Sequence, residues 1–545
     1  MKLSNLLKAV EPLGVFSLIP LRKEQPATGV EKTRCARCPL PVANPPDREI
    51  SSIHYRAQDV QPAGLFVAIV GQTADGHDYI DQALQQGAAA IVVQKKSGKS
   101  VNPEDIAGTL DKNPVMIQVA DTRIALADLS ACFYQNPSQH MHLIGITGTN
   151  GKTTVAYLIE SILLKAGSKV GVIGTINYRY GNNVFPNPMT TPESLDLQRI
   201  LAQMLSAGVT HVVMEASSHA MDLYRIKGCQ FDVAVFTNLS QDHLDFHGDM
   251  QSYWASKKRL FTEYLIHGAQ KDNVAAVINC DDSKGKELAD LLSIKVIKTG
   301  SAPACEIKAE TSRFGLVGTN GRLSIPRGSF DFKTPLVGTH NLENILSASG
   351  VAAALNLAPD TIKAGIEALA AIPGRLESIA NSSGRFVYVD YAHTPDALEN
   401  ALSALKSIAA ARIICVFGCG GDRDRKKRPM MGEIVARLCD LAVVTSDNPR
   451  SEDPVAIIAQ ILPGIERANG QAYSADILKT GFDKKGYAVE PDRRRAIELA
   501  IQVSRAGDAV LIAGKGHETY QIIGDKTIDF DDREEARKAL NNLAK

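Results

Sequence analysis

The sequence is poor in aromatic residues and has no excess of charge of either sign. Only one tryptophan occurs among 545 residues, and Phe, Trp and Tyr together make up 6%. Lys plus Arg and Asp plus Glu balance at 60 each. Because the chain lacks both a strong positive field and a supply of stacking rings, we expect no nucleic-acid partner.

Long apolar runs and a disulfide pattern are also missing. The apolar stretch at residues 13–20 is far too short to cross a bilayer, and no signal-peptide cleavage site follows it. The nine cysteines are odd in number and scattered, which is typical of a reducing cytosol. We therefore expect a cytoplasmic enzyme without a membrane span, and the length predicts two to four domains.

What the sequence does contain is a glycine-rich turn between an apolar strand and a helix. Residues 142–146 read as a buried strand, and apolar residues recur at helical spacing up to Gly167, which takes the C-cap position. The turn between them, GITGTNGKTT at residues 145–154, is typical of a phosphate-binding loop in which Lys152 reaches the terminal phosphates and Thr153 ligates Mg²⁺. Ile146 replaces the first glycine of the usual pattern. An ordinary strand-to-helix turn is the alternative, but the flanking elements favour a nucleoside triphosphate.

A further strand is predicted at residues 170–174, and polar residues follow the two strands predicted after it, at residues 212–214 and 233–236. Glu215 ends the first of these two strands, whereas Asn238 and His243 follow the second. In an open parallel sheet, ligands bind beyond the carboxyl ends of the strands, so we expect these side chains to lie near Lys152. Glu215 would suit Mg²⁺, which takes one or two carboxylates together with phosphate oxygens. Each residue alone would more often be a helix cap or a loop contact, and it is their shared position that favours function.

Four further strands are predicted after residue 374, at residues 386–389, 413–417, 441–445 and 509–512. Each is followed by a polar loop, at residues 390–395, 418–424, 446–450 and 513–518. The loops carry charges of both signs, which would suit a zwitterionic ligand such as an amino acid. Salt bridges within the loops are the alternative and would account for one or two of the four.

The N-terminal segment reads as a small α/β unit with strands at residues 64–71 and 88–93. Before it lies a stretch rich in proline and charge, residues 20–46, which contains Cys35 and Cys38 in a CxxC pattern. A mobile insertion is the favoured interpretation. Half of a zinc site is the other, although no second CxxC or HxxxH pair lies nearby.

Taken together, these motifs resemble the Mur ligase family over nearly the whole chain from residue 49 onward. The resemblance rests on residues 147–154, on the EASSH sequence at 215–219, on TNLS at 237–240 with Asp242 and His243, on GTHN at 338–341 with Asn344, and on PGRLE at 373–377. Within the family, DNPR at residues 447–450 is typical of members that add meso-2,6-diaminopimelate to a UDP-N-acetylmuramoyl dipeptide rather than lysine.

The resemblance implies a three-domain α/β fold. It consists of a small N-terminal UDP-sugar-binding α/β domain (residues 1–138), a central ATP-binding domain with a P-loop ATPase-type parallel sheet (139–373) and a C-terminal Rossmann-like amino-acid-binding domain (374–545). The implied reaction is ATP-dependent amide formation in peptidoglycan precursor synthesis. Through this synthesis, the resemblance implies a part in cell-wall biogenesis, cell shape and cell division. A carboxylate of UDP-MurNAc-L-Ala-D-Glu takes the γ-phosphate, and the amine of diaminopimelate then displaces phosphate. A monomer is expected.

The resemblance also assigns roles to individual residues. The catalytic set is Lys152, Glu215, His243 and Lys257, and Lys257 carries a CO₂-derived carbamate (N6-carboxylysine) that joins Thr153, Glu215 and His243 in holding Mg²⁺. ATP binding is assigned to Gly148, Thr149, Asn150, Gly151, Lys152, Thr153, Thr154, His340, Asn341 and Arg375. The UDP-MurNAc-dipeptide is assigned to Thr190, Thr191, Ser217 and Arg225, and diaminopimelate to Arg423, Asp447, Asn448, Pro449, Arg450, Gly514 and Glu518.

The N-terminal unit departs most from the family pattern. The usual Asp-Ser-Arg is replaced by Arg56, Ala57 and Gln58. Ala57 thus occupies the position of the serine that contacts the uridine diphosphate in the family. Gln72 and Thr73 replace a His-Gln pair, and Leu223 stands where some members have glutamine. Losing one hydroxyl contact weakens binding by about 1 kcal/mol. These changes leave open a ligase with another carrier substrate. Two further alternatives are a ligase that accepts L-lysine and a nucleotide-binding protein without activity.

Overall fold

A computed structural model describes residues 1–17, 47–71, 74–95, 114–266, 274–409, 411–468 and 470–543. These residues form two compact units. The first lies within Met1–Gly145, Ile173–Asp232 and Ala255–Val274, and the second within Ile146–Val172, Val233–Trp254 and Ala275–Lys545. The predicted insertion at residues 20–46, with Cys35 and Cys38, lies outside the described residues, as do Gln72 and Thr73. The predicted domain boundaries after residues 138 and 373 stay predictions.

The N-terminal part of the chain forms a five-stranded sheet whose faces are both covered by apolar side chains. Its strands are ordered β1-β5-β4-β3-β2, all parallel except β1. Along β4, Ile91 belongs to one apolar cluster and Val92 to the other, as the two-residue period of a strand requires. The elements are β1 Gly14–Ser17, β2 Ile53–His54, β3 Leu65–Val67, β4 Ala90–Gln94 and β5 Val115–Val119, with helices α1 Leu3–Leu7, α2 Ile80–Gln85 and α3 Thr122–Phe133 and 3₁₀ turns Ala57–Asp59, Gly76–Tyr79 and Pro137–His140.

Strands and helices alternate in the middle of the chain, beginning with the predicted strand and helix on either side of the glycine-rich turn. The strands are β6 His142–Thr147, β7 Val170–Ile173, β8 Asn177–Tyr180, β9 Asn183–Pro186, β10 His211–Glu215, β11 Val233–Phe236, β12 Ala275–Asn279 and β13 Lys295–Thr299. The helices are α4 Lys152–Lys165, α5 Ser194–Ser206, α6 Ser218–Asp222, α7 Leu244–His247, α8 Met250–Arg259, followed by a π-helical stretch Leu260–Leu265, and α9 Ser283–Leu291. In the second unit β11, β12 and β13 pair in parallel.

A three-stranded antiparallel sheet follows that the sequence analysis did not predict. It contains β14 Lys308–Gly315, β15 Gly318–Ile325 and β16 Gly328–Thr334. In β16 the buried Phe330 and Phe332 alternate with exposed Asp331 and Lys333. This period of two was a readable strand signal. Two helices come next, α10 Thr339–Ala354 and α11 Pro359–Ala368.

The C-terminal part of the second unit contains a seven-stranded sheet in the order β17-β18-β23-β19-β20-β22-β21. The four predicted strands are confirmed as β18 Phe386–Asp390, β19 Ile413–Phe417, β20 Leu441–Val444 and β23 Ala509–Ala513. The sequence analysis missed β17 Glu377–Ile379, β21 Gln471–Ala472, β22 Gly486–Val489 and the hairpin β24 Tyr520–Ile523 with β25 Lys526–Asp529.

Helices of this C-terminal part connect the strands, and apolar clusters cover both faces of the sheet. The pairs of β18 with β23, β23 with β19, β19 with β20 and β20 with β22 are all parallel, as the predicted Rossmann-like domain requires. The helices are α12 Pro395–Ile408, α13 Lys427–Leu438, α14 Pro454–Arg467, α15 Ala475–Thr480, α16 Arg493–Val503 and α17 Asp532–Leu543. Mixed α/β architecture with parallel sheets is therefore confirmed.

Candidate functional site

The glycine-rich loop connects β6 to α4 as the sequence predicts. Gly148 and Gly151 have φ values of +145° and +87°, which disfavour any side chain. A Cβ atom at Gly148 would lie 1.9 Å from Thr237 Oγ1, and one at Gly151 would lie 2.3 Å from Asn344 Oδ1. Ile146, by contrast, is fully buried within the strand, so the loop needs no glycine there.

The loop is hydrogen-bonded to the segment that follows β11. Asn150 N donates to Asn238 Oδ1 at 2.9 Å, and Thr237 Oγ1 donates to the carbonyl of Asn150 at 2.7 Å. Lys152 Nζ lies over its own loop, 3.0 Å from the carbonyl oxygen of Gly148 and 2.8 Å from that of Thr149. The loop therefore holds a cation close to main-chain N–H groups, which is the arrangement that binds phosphate.

Three other predicted nucleotide residues lie in the second unit, and one of them, Arg375, contacts the loop region. Arg375 Nη2 donates to Thr153 Oγ1 at 3.4 Å, and its guanidinium lies 4.9 Å from the centre of the Tyr391 ring. Asn341 accepts a hydrogen bond at 3.2 Å from Asn344, the residue that packs on Gly151. Desolvation lowers the pKa of His340 to about 4, so its imidazole is neutral near pH 7.

Glu215 lies at the end of β10 with a buried carboxylate. Thr175 donates to it twice, from its amide N at 3.0 Å and from Oγ1 at 2.9 Å. Thr175 Oγ1 also lies 3.1 Å from Thr190 Oγ1. The first unit thus places Thr190 beside Glu215, and Thr175, which the sequence analysis missed, orients the carboxylate.

The other three residues assigned to the dipeptide also come together in the first unit. Thr191 Oγ1 donates to Ser217 Oγ at 3.3 Å, and Arg225 Nη1 donates to the carbonyl of Thr191 at 3.3 Å. Arg225 also lies 3.6 Å from Glu193 Oε2, which opposes the lowering of its pKa by burial. The side chains form a small polar cluster with one anchored cation.

The remaining predicted metal ligands are His243, just before α7, and Lys257, on α8. His243 adopts a left-handed backbone conformation with φ +54°, and its imidazole is 47% exposed. Lys257 lies on α8 and is only 1% exposed, whereas the adjacent Lys258 is partly buried. Within the described ranges no group of three His, Cys, Asp or Glu side chains forms a metal cage. Mg²⁺ does not need one, because it is usually held by one or two carboxylates together with water and phosphate oxygens.

The loops after β20 and β23 meet around a buried lysine, Lys515. Its Nζ donates at 2.8 Å to Asn448 Oδ1 and lies 3.4 Å from Asp447 Oδ1 and 3.5 Å from Glu518 Oε2. Asn448 Nδ2 in turn donates to Glu518 Oε2 at 3.0 Å. A Cβ atom at Gly514 would lie 3.6 Å from Asp447 Oδ2. Four of the residues assigned to diaminopimelate therefore surround one cation.

The other three residues assigned to diaminopimelate line the neighbouring loop. Arg450 Nη1 donates to the carbonyl of Gly421 at 2.9 Å, and a Cβ atom at Gly421 would clash with the carbonyl of Pro449. Arg423 is exposed, and a Cβ atom at Gly420 would lie 3.8 Å from its Cγ and 3.1 Å from Arg450 Nη1. The loops after β19 and β20 thus carry two arginines, while Asp447 and Glu518 flank Lys515.

Lys515 and Arg493 are site residues that the sequence analysis missed. Arg493 is buried and pairs with Asp532 at 2.7 Å, and it also donates to the carbonyls of Ser446 and Ala513, one from each loop. Lys515 lies in a loop that the sequence analysis did single out, between Gly514 and Gly516. The burial of both side chains depends on strands that are distant in the sequence, so the residues next to them along the chain do not predict it.

Comparison with known proteins gives matches to three family models in chain order. Residues 49–134 match the Mur ligase family catalytic domain, residues 146–352 the Mur ligase middle domain, and residues 374–516 the Mur ligase glutamate ligase domain. Within the described ranges, no helix has the length and apolar character needed to cross a membrane.

Curated relatives and solved structures agree with these matches. The chain is 49% identical over 496 residues to the UDP-N-acetylmuramoyl-L-alanyl-D-glutamate--2,6-diaminopimelate ligase of Geobacter metallireducens, covering 91% of this chain and 95% of the relative. It is 41% identical over 492 residues to the ligase of the same name from Geobacillus thermodenitrificans, covering 90% and 95%. A solved structure of a ligase of that name has a TM-score of 0.64 at 29% identity, over 93% of this chain and 98% of that one. The MurF ligase of Thermotoga maritima in complex with ADP shares the fold, with a TM-score of 0.58 at 20% identity over 90% and 97% of the two chains. With near-complete coverage of relatives at this identity, the chain belongs to the Mur ligase family.

Proposed function

We propose that this chain is the ATP-dependent ligase that joins meso-2,6-diaminopimelate to UDP-MurNAc-L-Ala-D-Glu in peptidoglycan precursor synthesis. The observation that carries the proposal is the presence in the second unit of both a phosphate loop and a buried cluster that suits an amino acid, Lys515 with Asp447, Asn448 and Glu518. The substrates in this proposal are inferred from the names of the similar ligases. A cytoplasmic location and a monomeric state are part of the proposal.

The reaction requires a carboxylate to become an electrophile. A carboxylate oxygen is a poor leaving group, so it is first phosphorylated by ATP, and the resulting acyl phosphate then loses phosphate to the attacking amine. Two anions must approach each other in the first step. The Lys152 ammonium and the main-chain N–H groups at the start of α4 lower that repulsion, and because they are already in place they need no reorganisation during the reaction.

The cluster around Thr191, Ser217 and Arg225 supports binding of the muramoyl dipeptide. Arg225 offers a guanidinium whose geometry matches a carboxylate. The Ser217 hydroxyl, which accepts from Thr191 and from Ala220 N, keeps its own proton to donate. Ala57, which replaces the usual serine, is buried in the apolar cluster of the N-terminal sheet. The alanine methyl thus packs in an apolar cluster at the position where the family's serine carries its hydroxyl. We expect the carrier to be bound without this hydroxyl contact.

The loops after β20 and β23 support recognition of the incoming amino acid. Asp447 and Glu518 carry two negative charges and Lys515 one positive charge, so the cluster favours an ammonium group. Arg450 and Arg423 lie on the loops around Gly420, where they suit a carboxylate. Diaminopimelate has an amine and a carboxylate at each end, whereas lysine lacks the second carboxylate. We therefore expect diaminopimelate to be preferred over L-lysine.

Magnesium ligation is proposed for Thr153, Glu215, His243 and a carbamate on Lys257. The hydroxyl and carboxylate oxygens in this set are donors that a hard cation accepts, and when bound the metal supplies charge neutralisation for the phosphate groups. Glu215, oriented by two hydrogen bonds from Thr175, contributes a buried carboxylate to this set. Carbamylation converts a lysine amine into a carboxylate-like anion, which explains how a lysine enters such a set.

Incubating the purified protein with ATP, Mg²⁺, UDP-MurNAc-L-Ala-D-Glu and meso-diaminopimelate tests the proposal. We expect the UDP-MurNAc-tripeptide to form together with one ADP and one phosphate, as measured by mass spectrometry and phosphate release. Replacing diaminopimelate by L-lysine is expected to reduce kcat/KM by about 10²-fold or more, because Arg450 then lacks its carboxylate partner.

Each alternative has a distinct outcome in this assay. Product with another nucleotide-sugar peptide but none with UDP-MurNAc-L-Ala-D-Glu would indicate a changed carrier. Equal turnover of lysine and diaminopimelate would contradict only the specificity. Nucleotide binding without any amide product from these acceptors would favour a non-catalytic protein.

The pH dependence of amino-acid use tests the role of Glu518. Burial raises the pKa of Glu518, and Lys515 opposes this rise. An ammonium binds the ionised carboxylate, so kcat/KM for diaminopimelate should fall as the pH is lowered through this raised pKa. The midpoint of this fall, the acidic limb of the pH profile, should therefore lie at a higher pH than the ordinary pKa of a glutamate. In Glu518→Gln the limb should disappear and kcat/KM at neutral pH should fall by about 10–100-fold.

A matched control separates this effect from general charge removal. Glu534 is an exposed glutamate in the first turn of α17. Glu534→Gln should keep both the limb and the rate. An unchanged acidic limb in Glu518→Gln would contradict the assignment of Glu518 to the ammonium.

A further inference from the structure

Asp396 connects two loops of the nucleotide site through a single carboxylate oxygen. Its Oδ2 accepts from Asn150 Nδ2 at 2.8 Å and from Ser240 Oγ at 2.7 Å, and Asn400 Nδ2 lies 3.3 Å away. Asn150 belongs to the phosphate loop and Ser240 to the segment after β11. Asp396 lies in the first turn of α12, 246 positions from Asn150 in the sequence.

The two loops also contact each other. Ser240 N donates to Thr149 Oγ1 at 3.0 Å, and Asn150 N donates to Asn238 Oδ1 at 2.9 Å. Asn150 Nδ2 lies 3.3 Å from Ser240 Oγ, so the amide and the hydroxyl touch each other as well as the carboxylate. Asp396 thus closes a hydrogen-bonded ring that involves both loops.

A carboxylate in this place is unexpected on Coulombic grounds. The phosphate loop binds an anion, and a neighbouring negative charge repels that anion. The hydrogen bonds work in the opposite direction, because charge-assisted bonds to Asn150 and Ser240 fix the loop before the nucleotide arrives. The two effects predict opposite consequences for removal of the carboxylate.

We propose that Asp396 is a positioning residue for ATP, which holds Asn150 and Ser240 so that the phosphate loop keeps the conformation that receives the phosphates. The inference rests on the nucleotide-binding part of the proposed function. It gives α12 an indirect share in nucleotide binding, beside the contact of Arg375 with Thr153.

A purely local role in the helix is the competing explanation, since an acidic residue in the first turn stabilises a helix. The chain offers a matched control for it. Asp360 also follows a proline at the start of a helix, α11, and its side chain is exposed. A helix-terminal effect would be shared by Asp360 and Asp396, whereas an effect on the loop would be confined to Asp396.

The experiment measures Mg²⁺-dependent binding of ADP and of a non-hydrolysable ATP analogue by titration, together with KM for each substrate. In Asp396→Ala we expect nucleotide affinity to fall on the order of ten-fold and KM for ATP to rise, while KM for diaminopimelate stays within about two-fold. Asp360→Ala should leave nucleotide affinity and both KM values unchanged. Asp396→Asn, which keeps the shape of the side chain, should lie between wild type and Asp396→Ala.

A double-mutant cycle with Ser240→Ala tests whether the contact itself is responsible. We expect Ser240→Ala to weaken nucleotide binding and the double variant to bind as Asp396→Ala does. Tighter or unchanged binding in Asp396→Ala, or strictly additive effects in the cycle, would overturn the inference. Binding is measured without amide formation, so a wild type that binds nucleotide but makes no tripeptide would overturn the proposed reaction alone. A wild type that binds no nucleotide would overturn both.

Discussion

Replacement of Lys152 by alanine is expected to reduce kcat by about 10³-fold, the upper end of what loss of one preorganised donor to a developing charge removes. The Lys152 ammonium lies over the phosphate loop. In the role proposed for it, it neutralises charge on the phosphates when they meet the acceptor carboxylate. Nucleotide affinity should fall as well, because the ammonium attracts the ground-state phosphates too. Single-turnover formation of the acyl phosphate and direct nucleotide titration measure the two effects separately.

Lys165 provides the matched control for this variant. It is exposed in the last turn of the same helix, α4, so Lys165→Ala removes an equal charge away from the loop. We expect its rate and affinity to match those of wild type. Thermal unfolding of both variants should be close to that of wild type. A Lys152→Ala enzyme within ten-fold of the wild-type kcat would contradict the role assigned to this lysine.

The phosphate loop could be predicted from the sequence because its determinants are adjacent along the chain. The apolar strand, the glycines and the helical spacing all lie between residues 142 and 167, and each follows from local rules of conformation. The same holds for β18, β19, β20 and β23, whose apolar runs are short and end in polar loops. Strands β17 and β21 are three and two residues long, and runs of that length carry no periodicity.

Residues whose role depends on distant partners could not be predicted in the same way. Lys515 stands between two glycines and resembles a solvent-exposed lysine, yet it is fully buried because Asn448, 67 positions away, accepts its hydrogen bond. Asp396 resembles an ordinary acid in the first turn of a helix. Only the fold brings it to Asn150 and Ser240. The sequence therefore identified the loops of the site, while the charges that hold those loops together required the structure.

Replacement of Lys257 by alanine is expected to reduce kcat by about 10²–10³-fold, and a short carboxylate such as acetate should restore part of the loss. Lys257 is 1% exposed on α8. The neutral amine is the form of a lysine that attacks CO₂. A bond then forms between Nζ and the carbon of CO₂ while a proton leaves, and the product is an anion that suits Mg²⁺. Acetate supplies a similar anion in the space that the shortened side chain leaves.

Lys258 makes this prediction specific, because it is the next residue on the same helix and only partly buried. Lys258→Ala should retain the wild-type rate and should not respond to acetate. The wild-type enzyme should lose activity when CO₂ and bicarbonate are removed at mildly acidic pH, and bicarbonate should restore it, since protonation and loss of CO₂ reverse the modification. Full activity of Lys257→Ala would contradict the carbamate. Loss of activity without rescue, accompanied by a lower unfolding temperature, would indicate that the buried side chain of Lys257 stabilises α8 instead.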